Sequence, residues 1–218
     1  MKKTKVLLVD DHAVVRGGLS QLIQSEPDVA VCGEATSAEE AVELALKVKP
    51  DLAVVDITLG GVNGIELTKN LKAIQPKLHI LVLSMHDESH YAERALRAGA
   101  KGYVMKREAG DQIVKAIRTV AAGEVYVSER IHKTILHQYL HGGSAKGSSP
   151  IARLSDRELE VLNLLGQGLS SKDIADKLHL SPKTVDSHRT HLKEKLELAG
   201  APELIRFAFE WAASQELL

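Results

Sequence analysis

Along the first 125 or so residues, short apolar runs alternate with longer amphipathic stretches. The apolar runs cover 5–10, 29–35, 52–56, 79–84 and 102–105. Between them, apolar residues recur with the period of a helix over 13–24, 37–48, 63–74, 89–98 and 111–122. Continuous apolar strands that alternate with helices are typical of a parallel sheet covered on both faces. The pattern therefore predicts an α/β domain with a five-stranded, doubly wound parallel sheet.

After this region the chain shows helical patterns only, interrupted by one stretch of small residues. A helical stretch over 129–141 is followed by a Gly/Ser-rich run at 142–150. This run has too few apolar side chains to join a core, so it predicts a flexible tether. The predicted parts are a first domain at 1–125, a helix and linker at 126–152, and an all-α domain at 153–218.

The last part contains the signals of a helix-turn-helix. Ser155 with Glu158 forms a capping-box pattern, and Ser170 begins the next helix with an acid three residues on. A three-residue turn at 179–181 then leads into a helix that opens with Pro182. Two short helices joined by a tight turn predict a helix-turn-helix arrangement.

Composition adds a cellular setting but complicates the choice of partner. Cys32 is the single cysteine, so an internal disulfide is impossible and a cytoplasmic protein is expected. No stretch approaches the roughly 20 apolar residues that span a bilayer, so no membrane segment is expected. The whole chain carries a net charge of -1. Residues 153–218 carry nine basic and eleven acidic side chains, and this balance argues against a purely electrostatic attraction to DNA.

Polar side chains stand where the predicted strands end. They are Asp10 and Asp11 after the first strand, Asp56 after the third, Ser84 after the fourth and Lys106 after the fifth. The carboxyl ends of parallel strands meet at one edge of a sheet, so these groups are expected in one crevice. Three neighbouring carboxylates favour a hard cation such as Mg²⁺. With an ammonium opposite, such a site suits phosphoryl transfer onto a carboxylate.

The motifs at these strand ends resemble those of two-component receiver domains over residues 3 to about 122. They are VLLVDDH at 6–12, LAVVD at 52–56, LSMH at 83–86 and GYVMK at 102–106. The resemblance implies a flavodoxin-like fold with Asp56 as the phosphorylated residue. It further implies a Mg²⁺ (or Mn²⁺) site of Asp11 and Asp56, Asp10 acting through water, and the Thr58 carbonyl. By the same resemblance Lys106 contacts the phosphoryl group, and Ser84 and Tyr103 are the switch residues.

Two features bear on this resemblance. Leu59-Gly60-Gly61 stands where relatives often have a proline before the second glycine, and the loss of proline predicts a more mobile loop. The alternative enzyme class is a phosphoaspartyl hydrolase of the haloacid-dehalogenase type. That class requires a second Asp two residues after the nucleophile, and this chain has Thr58 there.

The helix predicted over 182–196 has two different faces at about 100° per residue. Its apolar face carries Val185, Leu192 and Leu196, with His188 at the border. Its outward face carries Lys183, Asp186, Ser187, Thr190 and Glu194, and it is short and polar enough to reach base edges. This spacing alone fits a solvated helix of a protein-interaction bundle about as well as it fits DNA binding.

Residues 154–208 resemble the four-helix DNA-binding domain of the LuxR type, with LHLSPKTVDSH at 178–188 as the signature stretch. With the receiver, the whole chain is similar to response regulators of the NarL/FixJ family. The candidate DNA contacts are Lys183, Thr184, Asp186, Ser187, Arg189, Thr190 and Lys193. Asp186 occupies a position that is basic in many relatives, so their operator sequence cannot be transferred.

The resemblance implies a transcription regulator rather than an enzyme. A sensor histidine kinase is expected to phosphorylate Asp56, and slow autodephosphorylation is expected to remove the phosphoryl group. Phosphorylation is expected to free the recognition helix from the receiver and to promote homodimers on promoter DNA, with RNA polymerase as a further partner.

Other conspicuous residues are interpreted as ordinary ones. His132, His137 and His141 lack a further nearby ligand for a metal site, so solvated helix polarity or proximity to the DNA backbone is the preferred interpretation. His188, Cys32 and Trp211 are interpreted as packing residues, and His86 is placed at the rim of the acidic pocket.

Overall fold

The computed structural model describes residues 3–59, 62–85, 88–140 and 150–216. Gly60, Gly61, His86 and His141 lie outside the described residues, as does the predicted tether apart from Pro150. The chain divides into two compact units, Met1–Gly142 and Gly143–Leu218. The domain boundaries at 125 and 152 stay predictions.

The first unit contains one five-stranded sheet. Its strands are β1 (Thr4–Val9), β2 (Val29–Ala35), β3 (Leu52–Asp56), β4 (His79–Ser84) and β5 (Gly102–Met105). All neighbouring pairs are parallel, and the order across the sheet is β2-β1-β3-β4-β5. The predicted doubly wound parallel sheet is therefore confirmed, and β1 is shifted by one residue toward the N-terminus.

Six helices surround or follow this sheet. They are α1 (Ala13–Gln24), α2 (Ala38–Val48), α3 (Gly64–Ile74), α4 (Glu88–Arg97), α5 (Ala109–Ala121) and α6 (Glu129–Leu140). The fifth helix begins two residues earlier than predicted, because the chain passes from a 3-10 turn at Lys106–Glu108 directly into it. The centre of the sheet is buried on both faces, as Val54 and Leu81 show on one face and Val55 and Val82 on the other.

Ser37 and Glu40 have the spacing of a capping box at the start of α2, but this box is only half formed. Ser37 accepts a hydrogen bond from the backbone N–H of Glu40, as an N-cap residue does. The Glu40 carboxylate bonds instead to the backbone N–H and the hydroxyl of Thr36. The reciprocal bond is therefore moved one residue outward.

Gly64 brings α3 into contact with the backbone of the third strand. A Cβ at this position would lie 2.0 Å from the carbonyl oxygen of Asp56, so any larger residue would displace the chain. The Gly64 N–H also donates to the Ile57 carbonyl at 2.8 Å. This close approach holds the start of α3 against the end of β3.

The second unit consists of helices. A 3-10 turn at Pro150–Arg153 precedes α7 (Asp156–Gly166), α8 (Ser171–Leu178), α9 (Pro182–Lys195) and α10 (Ala201–Glu216). Leu159, Ile174, Val185 and Leu204 are fully buried and form its core. The predicted four-helix domain is thereby confirmed.

Local signals determine where these helices begin and end. Complete capping boxes start α7 at Ser155 and α8 at Ser170. His179 ends α8 in the left-handed conformation at φ 51°, which turns the chain toward α9. Among the described residues, no helix has both the length and the apolar character that crossing a lipid bilayer requires.

Candidate phosphoryl-acceptor and nucleic-acid sites

The predicted acidic residues meet at the carboxyl edge of the sheet. Asp10 follows β1 and Asp56 ends β3, and their exposed fractions are 2% and 1%. Asp11 is more accessible, with 33% of its side chain exposed. One ligand atom each from Asp10, Asp11, His12 and Asp56 lie within 4.8 Å of one another. These side chains therefore converge at the carboxyl edge of the sheet, as the parallel strand order requires.

Lys106 brings positive charge into this pocket. Its Nζ lies 2.6 Å from Asp56 Oδ2 and 2.8 Å from Asp10 Oδ2, and only 7% of its side chain is exposed. Lys106 directly follows β5, two strands away from Asp56 in the sheet. A single buried cation therefore bridges two buried carboxylates.

Burial and charge act against each other in the acid–base properties of the site. Burial raises the pKa of Asp56 to about 6, although the charge and hydrogen bond of Lys106 act to lower it. For Lys106, burial lowers the pKa, but Asp56 and Asp10 outweigh that effect and the pKa stands above its ordinary value. Lys106 is therefore strongly favoured in its protonated, positively charged form.

The remaining predicted site residues lie around this pair. The Thr58 N–H donates to Asp56 Oδ1 at 3.3 Å, in the loop that follows the strand. Ser84 ends β4 and is fully buried, and Tyr103 on β5 is 2% exposed. Their roles as switch residues stay predictions.

Sequence reasoning missed two residues that support the acids. Arg16 on α1 donates from Nη1 to the Asp10 carbonyl at 2.7 Å, and its Nε lies 3.3 Å from Glu34 Oε2. The His12 N–H donates to Asp10 Oδ1, and its ring Nδ1 lies 2.6 Å from Asp11 Oδ1. His12 stands inside the quoted motif and could have been noticed. Nothing in the local pattern distinguishes Arg16 from a surface arginine.

The donor set fits a divalent cation. Three carboxylates approach closely at one edge of the sheet, and Asp11 remains open to solvent. Oxygen donors of this kind suit hard cations, and an added cation would relieve the repulsion among the acids. Among the described residues, this is the only group of three or more potential ligands so placed, and it includes neither His132 nor His137.

In the second unit, α9 has the two faces that the spacing predicted. Val185 and Leu192 are fully buried, and Leu196, which follows the helix, is 8% exposed. Exposed positions on the other side are Lys183, Asp186, Ser187, Thr190 and Glu194. Thr184, Arg189 and Lys193 are partly buried at the borders. Partial burial and the charge of Arg157 lower the pKa of His188, which suits a neutral packing residue better than a phosphate contact.

Most hydroxyl groups of α9 are engaged within the protein. Ser187 Oγ donates to the Lys183 carbonyl, and Thr190 Oγ1 donates to the Asp186 carbonyl at 3.1 Å. Because their hydroxyl protons are used, the oxygens of these exposed side chains remain as acceptors. They are therefore suited to the amino groups of adenine or cytosine in the major groove.

Comparison with known proteins shows the same two parts. Residues 6–118 match the family model of the response regulator receiver domain, and residues 152–208 match that of the bacterial regulatory proteins of the luxR family. This chain therefore belongs to the response regulators of the NarL/FixJ type, which carry a LuxR-type DNA-binding domain.

Two individual relatives span nearly the whole chain, and a third matches about two thirds of it. The oxygen regulatory protein NreC of Staphylococcus haemolyticus is 37% identical over 210 residues, which cover 94% of this chain and 97% of the relative. A solved structure of RcsB from Salmonella enterica serovar Typhimurium, bound to promoter rprA with the phosphomimetic BeF3⁻, is 25% identical with a TM-score of 0.63. It covers 95% of this chain and 98% of its own. A LuxR-family response regulator from Aurantimonas sp. SI85-9A1 is 37% identical, covers 64% of this chain and 99% of its own, and has a TM-score of 0.59.

These matches resolve the alternatives that the residues left open. The luxR-family match assigns the second unit to DNA binding rather than to a protein-interaction bundle. The receiver match excludes the hydrolase alternative for the first unit and implies a histidine kinase as partner. The chain is a DNA-binding transcription regulator.

Proposed function

We propose that a partner histidine kinase phosphorylates Asp56 and that this modification controls promoter binding by the second unit. The observation that carries the proposal is the buried contact of Lys106 with Asp56 and Asp10 at the edge of the sheet. A buried ammonium 2.6 Å from a carboxylate can stabilise negative charge that arrives at that carboxylate. We also propose that the protein is cytoplasmic, because its proposed partner, promoter DNA, lies in the cytoplasm.

The proposed chemistry is transfer of a phosphoryl group between side chains. A carboxylate oxygen of Asp56 attacks phosphorus, the P–N bond of the kinase phosphohistidine breaks, and the imidazole nitrogen keeps the electron pair. The product is an acyl phosphate on Asp56. Lys106 offsets the added charge, and Ser84 at the end of β4 provides a hydroxyl for the phosphoryl oxygens. Slow hydrolysis of the acyl phosphate by water returns the carboxylate.

The metal is proposed to be Mg²⁺, or Mn²⁺, held by Asp11, Asp56 and the Thr58 carbonyl, with Asp10 acting through water. When bound, the cation would offset the charge of the phosphoryl group during transfer. Arg16 and His12 hold the backbone and carboxylates of Asp10 and Asp11 in place for this role.

A route for the switch leads from the site to helix α6. Glu88 begins α4 after Ser84, and its Oε1 accepts from Ser128 Oγ at 2.5 Å. Arg130 Nε lies 3.3 Å from the same oxygen. Tyr126 bonds through its backbone to Tyr103 N–H and to the Lys101 carbonyl, so the chain before α6 is also tied to β5.

These links join α6 to α4, which follows Ser84, and to β5, which contains Tyr103. Movement of Ser84 or Tyr103 would therefore disturb the links. We propose that phosphorylation repositions Ser84 and Tyr103, loosens these links and thereby relieves inhibition of the DNA-binding domain.

The outward face of α9 is proposed to read promoter DNA. Lys183, Thr184, Asp186, Ser187, Arg189, Thr190 and Lys193 are the candidate contacts, and the basic residues among them would neutralise phosphates.

On α10, Ile205 and Phe209 lie four residues apart and are 39% and 49% exposed. This apolar pair is proposed to pack against a second copy, which would pair two α9 helices on two half-sites. RNA polymerase is proposed as the partner through which binding changes transcription.

Phosphorylation with and without Asp56 tests the proposal. A small-molecule phosphodonor with Mg²⁺ should give an acid-stable, base-labile adduct and should raise affinity for a promoter duplex in a gel-shift assay. Asp56→Asn should abolish both effects, whereas Asp111→Asn, at an exposed acid on α5, should change neither. Undiminished labelling of Asp56→Asn would overturn the assignment.

A further inference from the structure

Ser171 on α8 connects two charged residues of the recognition helix. Its hydroxyl donates to Asp186 Oδ1 at 2.9 Å and accepts a hydrogen bond from Arg189 Nη1. Asp186 and Arg189 are three residues apart on α9 and therefore lie on one face. Within residues 150–216, no ion pair joins this acid directly to this arginine. The serine hydroxyl stands between them.

Capping of α8 does not explain this arrangement. The N-cap residue is Ser170, whose hydroxyl donates to Asp173 Oδ2 at 2.6 Å in a complete capping box. The start of α8 is thus satisfied without the side chain of Ser171. That hydroxyl is directed instead to the neighbouring helix, where it uses its donor on a carboxylate and its acceptor on a guanidinium.

The connection changes what each charged residue can do toward DNA. One Asp186 oxygen already accepts a hydrogen bond from Ser171, so the carboxylate anchors that hydroxyl. This bond also partly compensates the negative charge of Asp186, which would otherwise repel the phosphates of bound DNA. Arg189 is partly buried, unlike Lys183, Ser187 and Thr190, and one of its five N–H donors is engaged by Ser171. A guanidinium held in one orientation loses less conformational entropy when it binds a base or a phosphate.

We propose that Ser171 is a positioning residue for DNA recognition: it fixes the Arg189 guanidinium through a hydroxyl anchored on Asp186. Preference for one operator over other sequences then depends on a residue of α8 as well as on α9. The inference rests on the proposed reading of DNA by α9. It requires a small side chain with a hydroxyl, which only Ser and Thr provide.

The test uses the full chain, treated with phosphodonor, and two duplexes. One is a sequence selected by the wild-type protein from a random duplex pool, and the other is its scrambled form. Ser171→Ala should lower affinity for the selected duplex about tenfold, the loss expected for hydrogen bonds to charged groups. Its affinity for the scrambled duplex should stay within about twofold. Ser171→Thr should restore preference for the selected duplex.

A double-mutant cycle separates positioning from a general structural effect. If Ser171 acts through Arg189, Ser171→Ala should have little further effect once Arg189→Ala is present. The matched control is Ser214→Ala on α10, where the hydroxyl donates to the Trp211 carbonyl, and it should leave both affinities unchanged. Thermal unfolding of each variant identifies those whose second unit is destabilised.

The outcomes distinguish this inference from the proposed function. An equal loss on both duplexes, or additive effects in the cycle, would overturn the positioning role. No change with Ser171→Ala, while Thr190→Ala still weakens selected binding, would overturn it as well but leave DNA reading by α9 intact. If neither Thr190→Ala nor Lys193→Ala alters binding in a folded chain, the proposed reading by α9 itself fails.

Discussion

The acceptor site of the first unit is buried, whereas the outward face of α9 in the second unit is exposed. Asp10, Asp56 and Lys106 come from three strand ends that are far apart in the sequence, and they are nearly inaccessible to solvent. The polar face of α9 comes from about three turns of one helix. One site is assembled by the topology of the sheet, and the other by the period of a helix.

This difference determines how each site should respond to change. Removing one member of a buried charge cluster leaves its partners uncompensated at low dielectric, so the effect is large and not additive. Removing one exposed contact changes a sum of small terms that salt screens. The following predictions test this contrast, from the largest expected effect to the smallest.

Loss of a metal-binding carboxylate should have the largest effect. Asp11→Ala removes an accessible carboxylate from the three-acid cluster and should weaken Mg²⁺ binding about 10–100-fold in calorimetric titration. The control is Glu43→Ala, at an exposed acid on α2. Asp28 would be a poor control because it pairs with Arg118 at 2.7 Å. Equal Mg²⁺ affinities for Asp11→Ala and Glu43→Ala would contradict the site.

A reading residue of α9 should have a smaller and sequence-dependent effect. Thr190→Ala should cost about 1 kcal/mol on the selected duplex, because its hydroxyl proton is engaged by the Asp186 carbonyl and the oxygen can only accept from a base. Lys193→Ala should instead weaken selected and scrambled duplexes by similar factors and reduce the salt dependence of binding. If Thr190→Ala and Lys193→Ala changed the ratio of affinities for the selected and scrambled duplexes equally, the distinction between base-reading and phosphate contacts would be wrong.

The link between α4 and α6 should have a modest effect on basal DNA binding. Ser128→Ala removes the donor to Glu88 and also the acceptor of the Ile131 backbone N–H at 3.2 Å, so the unphosphorylated chain should bind promoter DNA roughly threefold more tightly. Thr134→Ala on α6, which loses a bond to the Arg130 carbonyl within the same helix, is the matched control. Unchanged or weaker binding by Ser128→Ala would argue against the proposed route.

Stability of the second unit should show the smallest effect and a defined pH dependence. Although burial acts to raise it, hydrogen bonds from Lys195 and Ser155 hold the pKa of Glu158 below its ordinary value of 4.5. A carboxylate whose pKa is lower in the folded state stabilises that state at pH values above its unfolded-state pKa. This stabilisation is lost as the pH falls through the folded-state pKa. Glu158→Gln should therefore cost about 0.5–1 kcal/mol at neutral pH, and the difference should shrink below the ordinary pKa.

Fluorescence of Trp211 in urea unfolding provides the measurement, because it is the single tryptophan and bonds to Asn163 within the second unit. A stability difference between wild type and Glu158→Gln that stays constant down to about pH 3 would refute the assignment. Because Gln can still cap Ser155, the variant removes the ion pair with Lys195 at 2.7 Å and the more distant contact with His191 at 3.8 Å, but keeps the cap.

The sequence predicted the acidic cluster because chain topology leaves few choices. Once five apolar runs are assigned to a parallel sheet, Asp10, Asp56 and Lys106 must meet at its carboxyl edge. The faces of α9 were predictable for a similar reason, since Val185 and Leu192 are separated by two helical turns. In both cases a regular geometry converts spacing in the sequence into position in space.

Contacts between side chains of different elements were not predictable in this way. Nothing in the pattern around Arg16 indicates a bond to the Asp10 carbonyl, and nothing around Ser171 indicates Asp186 as its partner. The half-formed capping box at Ser37 shows the same limit at short range, because Glu40 had a competing partner in Thr36.

By itself, the amino-acid sequence determined the order of elements, the two kinds of domain and the residue types at the acceptor site, because these follow from hydrophobic period and strand direction. Only the tertiary structure decided that Lys106 bridges two buried acids, that Glu88 holds Ser128, and that a serine of α8 joins two charges of α9. Such contacts depend on rotamers and on distances of a few ångströms between elements, which many sequences with the same pattern would place differently.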